Sequence, residues 1–179
     1  SQNNHVINGN YIGPDIGCGM KLSKFKKPLE DNLENLSNGI ASKLFEKRKG
    51  TGSLGNGNHF VTIYEVINSS DETYKEKENF VLTHSGSREY GREIFEENLK
   101  GEEYLIKQEK AINYAKENRK SIEEIIEKVN GEKLENTLES PHNYVELQNE
   151  KIIYRKGAIK LESEEIGIIP SSMGGDALI

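Results

Sequence analysis

Leu29, Leu33, Leu36, Ile40 and Leu44 stand three or four residues apart in an otherwise polar stretch, which places them on one face of a helix. Pro28 suits the first turn of that helix and Gly50 its end. A second helical block is expected from about Gly91 to Asn118. A third starts at Ser121, where Ser121 and Glu124 have the spacing of a capping box ahead of Ile122, Ile125, Ile126 and Val129, and Gly131 ends it. Between these blocks lie short apolar runs beside glycine-rich turns. His59–Ile67 and Phe80–Thr83 read as strands, Tyr144–Leu147 and Lys151–Tyr154 as a hairpin turning at Gln148–Glu150, and Ile166–Ile169 as a further short strand. The mixture predicts an α+β fold, a largely antiparallel sheet core with segregated charged helices, in a single domain of residues 1–179.

Composition narrows the picture only a little. Hydrophobic residues make up 34% of the chain and charged residues 30%, so much of the charge must sit on solvated surface. The stretches 28–49 and 92–139 carry most of it and read as solvated helices. The formal net charge is −6, so any nucleic-acid surface has to be local. Candidates are Lys21, Lys24, Lys26 and Lys27, and the run Lys47, Arg48, Lys49, all of which equally suit a plain soluble surface. The single cysteine excludes an internal disulfide and fits a reducing compartment. No apolar run approaches the roughly 20 residues of a membrane span, and no signal-peptide pattern opens the chain. The expectation is a cytoplasmic protein with no membrane partner.

The chemistry-bearing residues are few and unusually placed. Of the four histidines, three stand where a predicted strand meets a turn. His59 follows Gly55-Asn56-Gly57-Asn58, His84 precedes Ser85-Gly86-Ser87-Arg88, and His142 lies between Pro141 and Asn143. Loops at strand ends are where scaffolds present functional groups. The lone cysteine sits in Gly13-Pro14-Asp15-Ile16-Gly17-Cys18-Gly19-Met20. Asp15 and Cys18 converge only if the chain turns between them, which Gly17 and Gly19 permit. A thiolate, a carboxylate and imidazoles form a ligand set for a transition metal, with zinc the first choice on donor chemistry alone. The residues by themselves imply a mono- or dinuclear site of unspecified purpose.

Read in order, the motifs are Gly13-Pro14-Asp15-Ile16-Gly17-Cys18-Gly19, Gly52-Ser53-Leu54-Gly55-Asn56-Gly57-Asn58-His59-Phe60, His84-Ser85-Gly86-Ser87-Arg88, His142-Asn143, Arg155-Lys156-Gly157-Ala158 and Pro170-Ser171-Ser172-Met173-Gly174. Motif by motif, this series resembles the RtcB family of RNA-splicing ligases. The resemblance implies a GTP- and Mn²⁺-dependent enzyme that joins RNA ends bearing a 3′-phosphate or 2′,3′-cyclic phosphate to 5′-hydroxyl ends. It implies that Cys18 bridges two manganese ions, with Asp15 and His59 completing one and His84 and His142 the other. Zn²⁺ is an alternative occupant as isolated. Asn58, Phe60 and Asn143, together with Pro170, Ser171, Ser172, Met173 and Gly174, would form the nucleotide pocket, and Arg88 a phosphate clamp. The implied partners are RNA and, in some members, the activating protein archease.

The sequence departs from the family pattern in places. The family's GMP-carrying histidine has no counterpart among the 179 residues, so the chain resembles a short or truncated member that does not guanylylate itself. Thr62 stands where the family usually has an acidic residue, and Ser171 where it has a glycine. The alternatives are a non-ligating metal- or nucleotide-binding homologue and a metal-dependent phosphoesterase built on the same site.

Overall fold

Antiparallel pairing brings the ends of four strands to one edge of a sheet, and the candidate residues lie on that edge. The computed structural model describes residues 6–29, 32–55, 57–170 and 175–179. Strands β1 (Gly19–Lys24), β2 (Phe60–Glu65), β3 (Asn79–Ser85) and β4 (Glu135–Pro141) form a sheet in the order β2-β3-β1-β4, antiparallel throughout. Gly19 pairs with both Ser85 and Pro141, while Phe60 pairs with His84. Cys18 therefore precedes β1, His59 precedes β2, His84 lies near the end of β3 and His142 follows β4, all at the same edge.

Side chains alternate across the sheet as strand geometry requires. Met20, Leu22, Phe80 and Leu82 face one way, where they meet Ile168 and the partly buried Phe60, Tyr64 and Leu138. Val81 faces the other way, into a cluster with Leu36, Ile40, Leu44, Ile122 and Ile126 from two helices. Those helices are α1 (Leu33–Glu46) and α3 (Gly101–Asn130). A third cluster, with Ile12, Ile16, Ile94, Tyr104, Ala111 and Val145, joins the N-terminal segment to three other elements. These are the short helix α2 (Glu89–Glu96), the first half of α3, and the hairpin of β5 (Asn143–Gln148) and β6 (Lys151–Lys156). Two-residue strands β7 (Ile169–Pro170) and β8 (Ala177–Leu178) complete the elements.

The α+β class and the largely antiparallel sheet agree with the sequence pattern, and the hairpin turns at Asn149 and Glu150, both at positive φ. Several expectations need correction. The two helices expected over 91–118 and from Ser121 are α2 and one continuous 30-residue α3, with Ser121 inside it rather than at a cap. Nothing from Asn118 to Ser121 breaks a helix, and Asn118 and Arg119 find buried partners that keep the turn in place. Pro28 lies ahead of α1, and the Leu29 amide donates to Asn79 Oδ1. The strand expected at 166–169 shrinks to Ile169–Pro170.

β1 and β4 had no counterpart in the sequence reading, and residues 135–139 are strand rather than solvated helix. β1 is hidden from a hydrophobicity pattern because its helix-facing positions are Lys21 and Ser23. Both meet Glu123 of α3, so the charges are neutralised in the interior. Among the described residues no helix is long and apolar enough to cross a membrane.

Candidate metal centre

The edge geometry turns four scattered side chains into one cluster. Cys18 Sγ lies 3.3 Å from His59 Nε2 and 3.1 Å from His84 Nε2. His84 Nε2 lies 3.1 Å from His142 Nε2. The donor atoms of Cys18, His59 and His84 all fall within 4.8 Å of one another, and all four side chains are buried. Two donors bound to one ion at about 2.0–2.3 Å stand roughly 3.3–3.8 Å apart, so this spacing suits a shared cation.

Tautomers support the same conclusion. His84 Nδ1 is 2.8 Å from the Asn58 carbonyl, which only accepts, so the proton is on Nδ1 and Nε2 carries a lone pair. That lone pair points at the Cys18 sulfur and at His142 Nε2. A backbone carbonyl that fixes the far nitrogen is the usual support of a metal-bound imidazole. His59 Nδ1 is buried without a hydrogen-bond partner of normal geometry, although the Leu54 carbonyl is close enough to raise its pKa.

Backbone contacts hold the ligand loops. The His142 amide donates to the Cys18 carbonyl at 2.8 Å, and the Gly17 amide to the Asn143 carbonyl at 2.8 Å. Asn143 Nδ2 donates to the Asp15 carbonyl at 2.6 Å, so this residue braces the Asp15–Cys18 turn. Gly17 has φ +73°, and a Cβ there would meet the Ile112 backbone of α3 at 2.9 Å. The position requires glycine on both counts.

A buried pair on α3 joins three of these loops, and the sequence reading missed it. Asn118 accepts from the Gly52 amide and donates to the carbonyls of Ser53 and Gly86 and to Ser85 Oγ. Arg119, fully buried, donates through Nη1 to the carbonyls of Gly17 and Ser85 and through Nε to Glu139. The two residues thereby fix the turns ahead of Cys18 and His59 and the turn after His84. Their signal was present: they share the three- and four-residue spacing of Ala111, Ala115, Ile122 and Ile126.

Burial dominates the electrostatics. Desolvation pushes the Cys18 thiol up to about 12, with Asp15 adding to the shift. It pulls His59 and His142 down to about 4, with His84 as the next cause in each, and it lowers His84 as well. The metal-free centre is thus neutral at physiological pH, a thiol among uncharged rings. The unfolded rings take up protons below about pH 6.5 while the folded ones do not, so stability falls as pH drops from 6.5 toward 4. The unfolded thiol ionises near pH 9 while the folded one does not, so stability falls again from pH 9 toward 12. In chelator-treated protein the melting temperature should therefore peak between about pH 6.5 and 9. His59 and His142 should each contribute at most about 1.4 kcal/mol per pH unit to the acid limb. A melting temperature that is flat from pH 7 to pH 4.5 contradicts the buried neutral rings.

The remaining candidates sit around this core. Asp15 is exposed and outside the 4.8 Å group, but its charge reaches Cys18, His59 and His84. Phe60 packs edge-on to the His84 ring with centroids 5.3 Å apart, and Asn58 is exposed beside it. Arg88 adopts φ +58° at the start of α2, and its Nε donates to Ser53 Oγ. Its guanidinium occupies the space a Cβ on Gly55 would need, 1.8 Å from that position. Pro170 is partly buried, whereas Ser171, Ser172, Met173 and Gly174 lie outside the described residues.

The sequence is similar to those of known proteins. Residues 39–100 and 96–179 match the family model described as tRNA-splicing ligase RtcB. The chain is 27% identical over 208 residues to the RNA-splicing ligase RtcB2 of Escherichia coli, an alignment that covers 91% of this chain and 54% of that protein. It is 28% identical over 173 residues to RNA-splicing ligase RtcB1 of the same species, covering 73% of this chain and 40% of that protein. The chain thus spans about half the length of the curated relatives it matches. With residues 39–179 of the chain matched by the family's model, and a cysteine–histidine cluster assembled at one sheet edge, the chain belongs to the RtcB family.

Proposed function

We propose that the chain provides the metal- and nucleotide-binding part of a GTP- and Mn²⁺-dependent RNA ligase. The ligase joins 3′-phosphate or 2′,3′-cyclic-phosphate RNA ends to 5′-hydroxyl ends. The observation that carries this reading is the position of Cys18 Sγ, within 3.3 Å of His59 Nε2 and 3.1 Å of His84 Nε2, with His142 Nε2 3.1 Å from His84 Nε2. A sulfur between two imidazoles suits a bridging thiolate. Asp15 and His59 would hold one ion, and His84 and His142 the other. The donor set fits Mn²⁺ or Zn²⁺, and Zn²⁺ binds more tightly at most such sites, so the resting and working metals can differ. Bound cations would supply charge neutralisation for a triphosphate and for RNA phosphates.

The chain's own residues do the rest. The thiolate and the Asp15 carboxylate offset part of the cation charge, and the Asn58 carbonyl keeps His84 Nε2 free to coordinate. The Arg88 fork, held against Ser53 and Gly55 beside the ligand loop, is placed to take phosphate oxygens. Phe60 offers a ring beside His84, and Asn58 and Asn143 Oδ1 offer polar edges to a nucleotide.

Mn²⁺-dependent GTP binding tests this directly. With a fluorescent GTP analogue, the chain should bind only when Mn²⁺ is present and should prefer guanine to adenine nucleotides. α-Labelled GTP should leave no label on the 179-residue polypeptide in a denaturing gel, because no histidine matches the family's nucleophile. Absence of Mn²⁺-dependent binding overturns the reading. So does GTP-independent release of inorganic phosphate from a 3′-phosphate RNA end, which indicates a phosphoesterase.

A further inference from the structure

We propose that the groove between the C-terminal half of α1 and the turn around Leu54–Gly55 is the bed of a single-stranded RNA segment leading to the metal centre. The groove encloses about 720 Å³. Its floor is apolar, with Ile40, Leu44, Val61 and Ile63 from α1 and β2. Its rim is cationic, with Lys47, Arg48, Lys49 and Arg88 set against Glu89 as the one acidic lining residue among the described residues.

The two basic runs visible in the sequence end up in different states. In the first run Lys21, Lys24 and Lys27 are paired, with Glu123, Glu78 and Glu132, while Lys26 is exposed and makes no ion pair among the described residues. Among the described residues, Lys47, Arg48, Lys49 and Arg88 make no ion pair. A chain of formal charge −6 therefore gathers four cations without an ion pair along one groove. The arrangement complements a polyanion.

Phe45 decides which polyanion. It lines the same groove and is 70% exposed, an arrangement that burial alone does not explain. The Arg48 guanidinium carbon lies 4.9 Å from its ring centroid, so one face carries a cation while the ring stays open to solvent. An exposed aromatic among unpaired cations is the arrangement that binds single strands, because an unpaired base stacks on the ring while its phosphates meet the cations. A duplex offers no free base face.

The groove also leads to the right place. Leu54 and Gly55 line it, the Leu54 carbonyl accepts from Ser85 Oγ next to His84, and the same loop ends at His59. Arg88 lines the groove and contacts that loop through Ser53 and Gly55. A strand lying along the cations is thus delivered end-first to the ligand cluster. The inference rests on the RNA-end reading of that cluster, and its test separates the two.

The experiment is fluorescence anisotropy with a labelled single-stranded RNA decamer, in chelator, across a salt series, using the wild-type chain, the triple variant K47A/R48A/K49A, and Phe45→Ala. All four positions are exposed, and melting curves check that the variants fold. The triple variant should bind at least tenfold more weakly and flatten the salt dependence by roughly two units of log K per log salt, about 0.7 per lost phosphate contact. Phe45→Ala should weaken single-stranded RNA about fivefold or more with little change in salt slope, and should leave duplex binding unaltered. Metal content should match wild type in both. Groove variants that bind RNA like wild type, with metal content intact, overturn the groove and leave the metal reading standing. Loss of RNA binding in the variants of a chain that takes up no metal supports the groove and removes the RNA-end reading. A wild-type chain that binds duplex as tightly as single strands, or whose binding ignores Phe45, overturns the proposal in favour of an undirected basic patch.

Discussion

On the proposed two-ion arrangement, Cys18→Ala is expected to empty both metal positions, because the sulfur is the donor within reach of both His59 and His84. Loss of an outer supporting contact alone weakens metal binding about 10- to 100-fold. Removal of the shared donor should exceed 100-fold, enough for gel filtration to strip the protein. The exchange is small and removes only the weak thiol contacts to His59 and His84, so the metal-free variant should melt within a few degrees of the metal-free parent. His84→Ala and His142→Ala should behave differently, each chiefly weakening one ion. Elemental analysis after gentle purification distinguishes the cases. An unchanged metal count in Cys18→Ala would falsify the bridging role.

Arg119→Met is expected to be the most damaging substitution outside the ligands. The guanidinium is fully buried, pairs with Glu139 at 2.8 Å and holds the carbonyls of Gly17 and Ser85. Methionine fills most of the volume but leaves two carbonyls and a carboxylate without their donor. Breaking a buried ion pair from one side costs about 3–5 kcal/mol, and the partial exposure of Glu139 places this case near 3. The chemical-denaturation midpoint should fall accordingly, and metal affinity should drop about tenfold or more as the two ligand turns loosen. Arg119→Lys keeps the charge but not the fork, so it should recover only part of each loss. Stability unchanged within about 0.5 kcal/mol would place the organising contact elsewhere.

Much of the centre was legible in the chain because metal chemistry uses rare residues in marked surroundings. Cys18, His59, His84 and His142 each adjoin a turn, and the turns mark strand ends even where a strand itself goes unseen. Their convergence follows from antiparallel pairing, which sequence periodicity does not encode. What stayed hidden was the polar interior. β1 carries Lys21 and Ser23 on its helix-facing side, and the partner that makes this tolerable, Glu123, lies far along the sequence. Asn118 and Arg119 sit in Lys116-Glu117-Asn118-Arg119-Lys120, a run whose charge reads as solvated surface. Their burial becomes visible only when they are counted on the same stripe as Ala111, Ala115, Ile122 and Ile126. The Pro28 and Ser121 signals were genuine local preferences, overridden because the Leu29 amide found Asn79 and because α3 had already begun at Gly101.

Because the candidate ligands are gathered from four strand ends, no short peptide fragment contains the cluster. The sheet must close before the donors meet, so cations add little to the early collapse, when long loops are still open. Once bound, an ion fastens those strand ends to one another, and unravelling requires its release. The metal should accordingly slow unfolding far more than it speeds folding, acting as a lock on the finished molecule rather than as a seed for it.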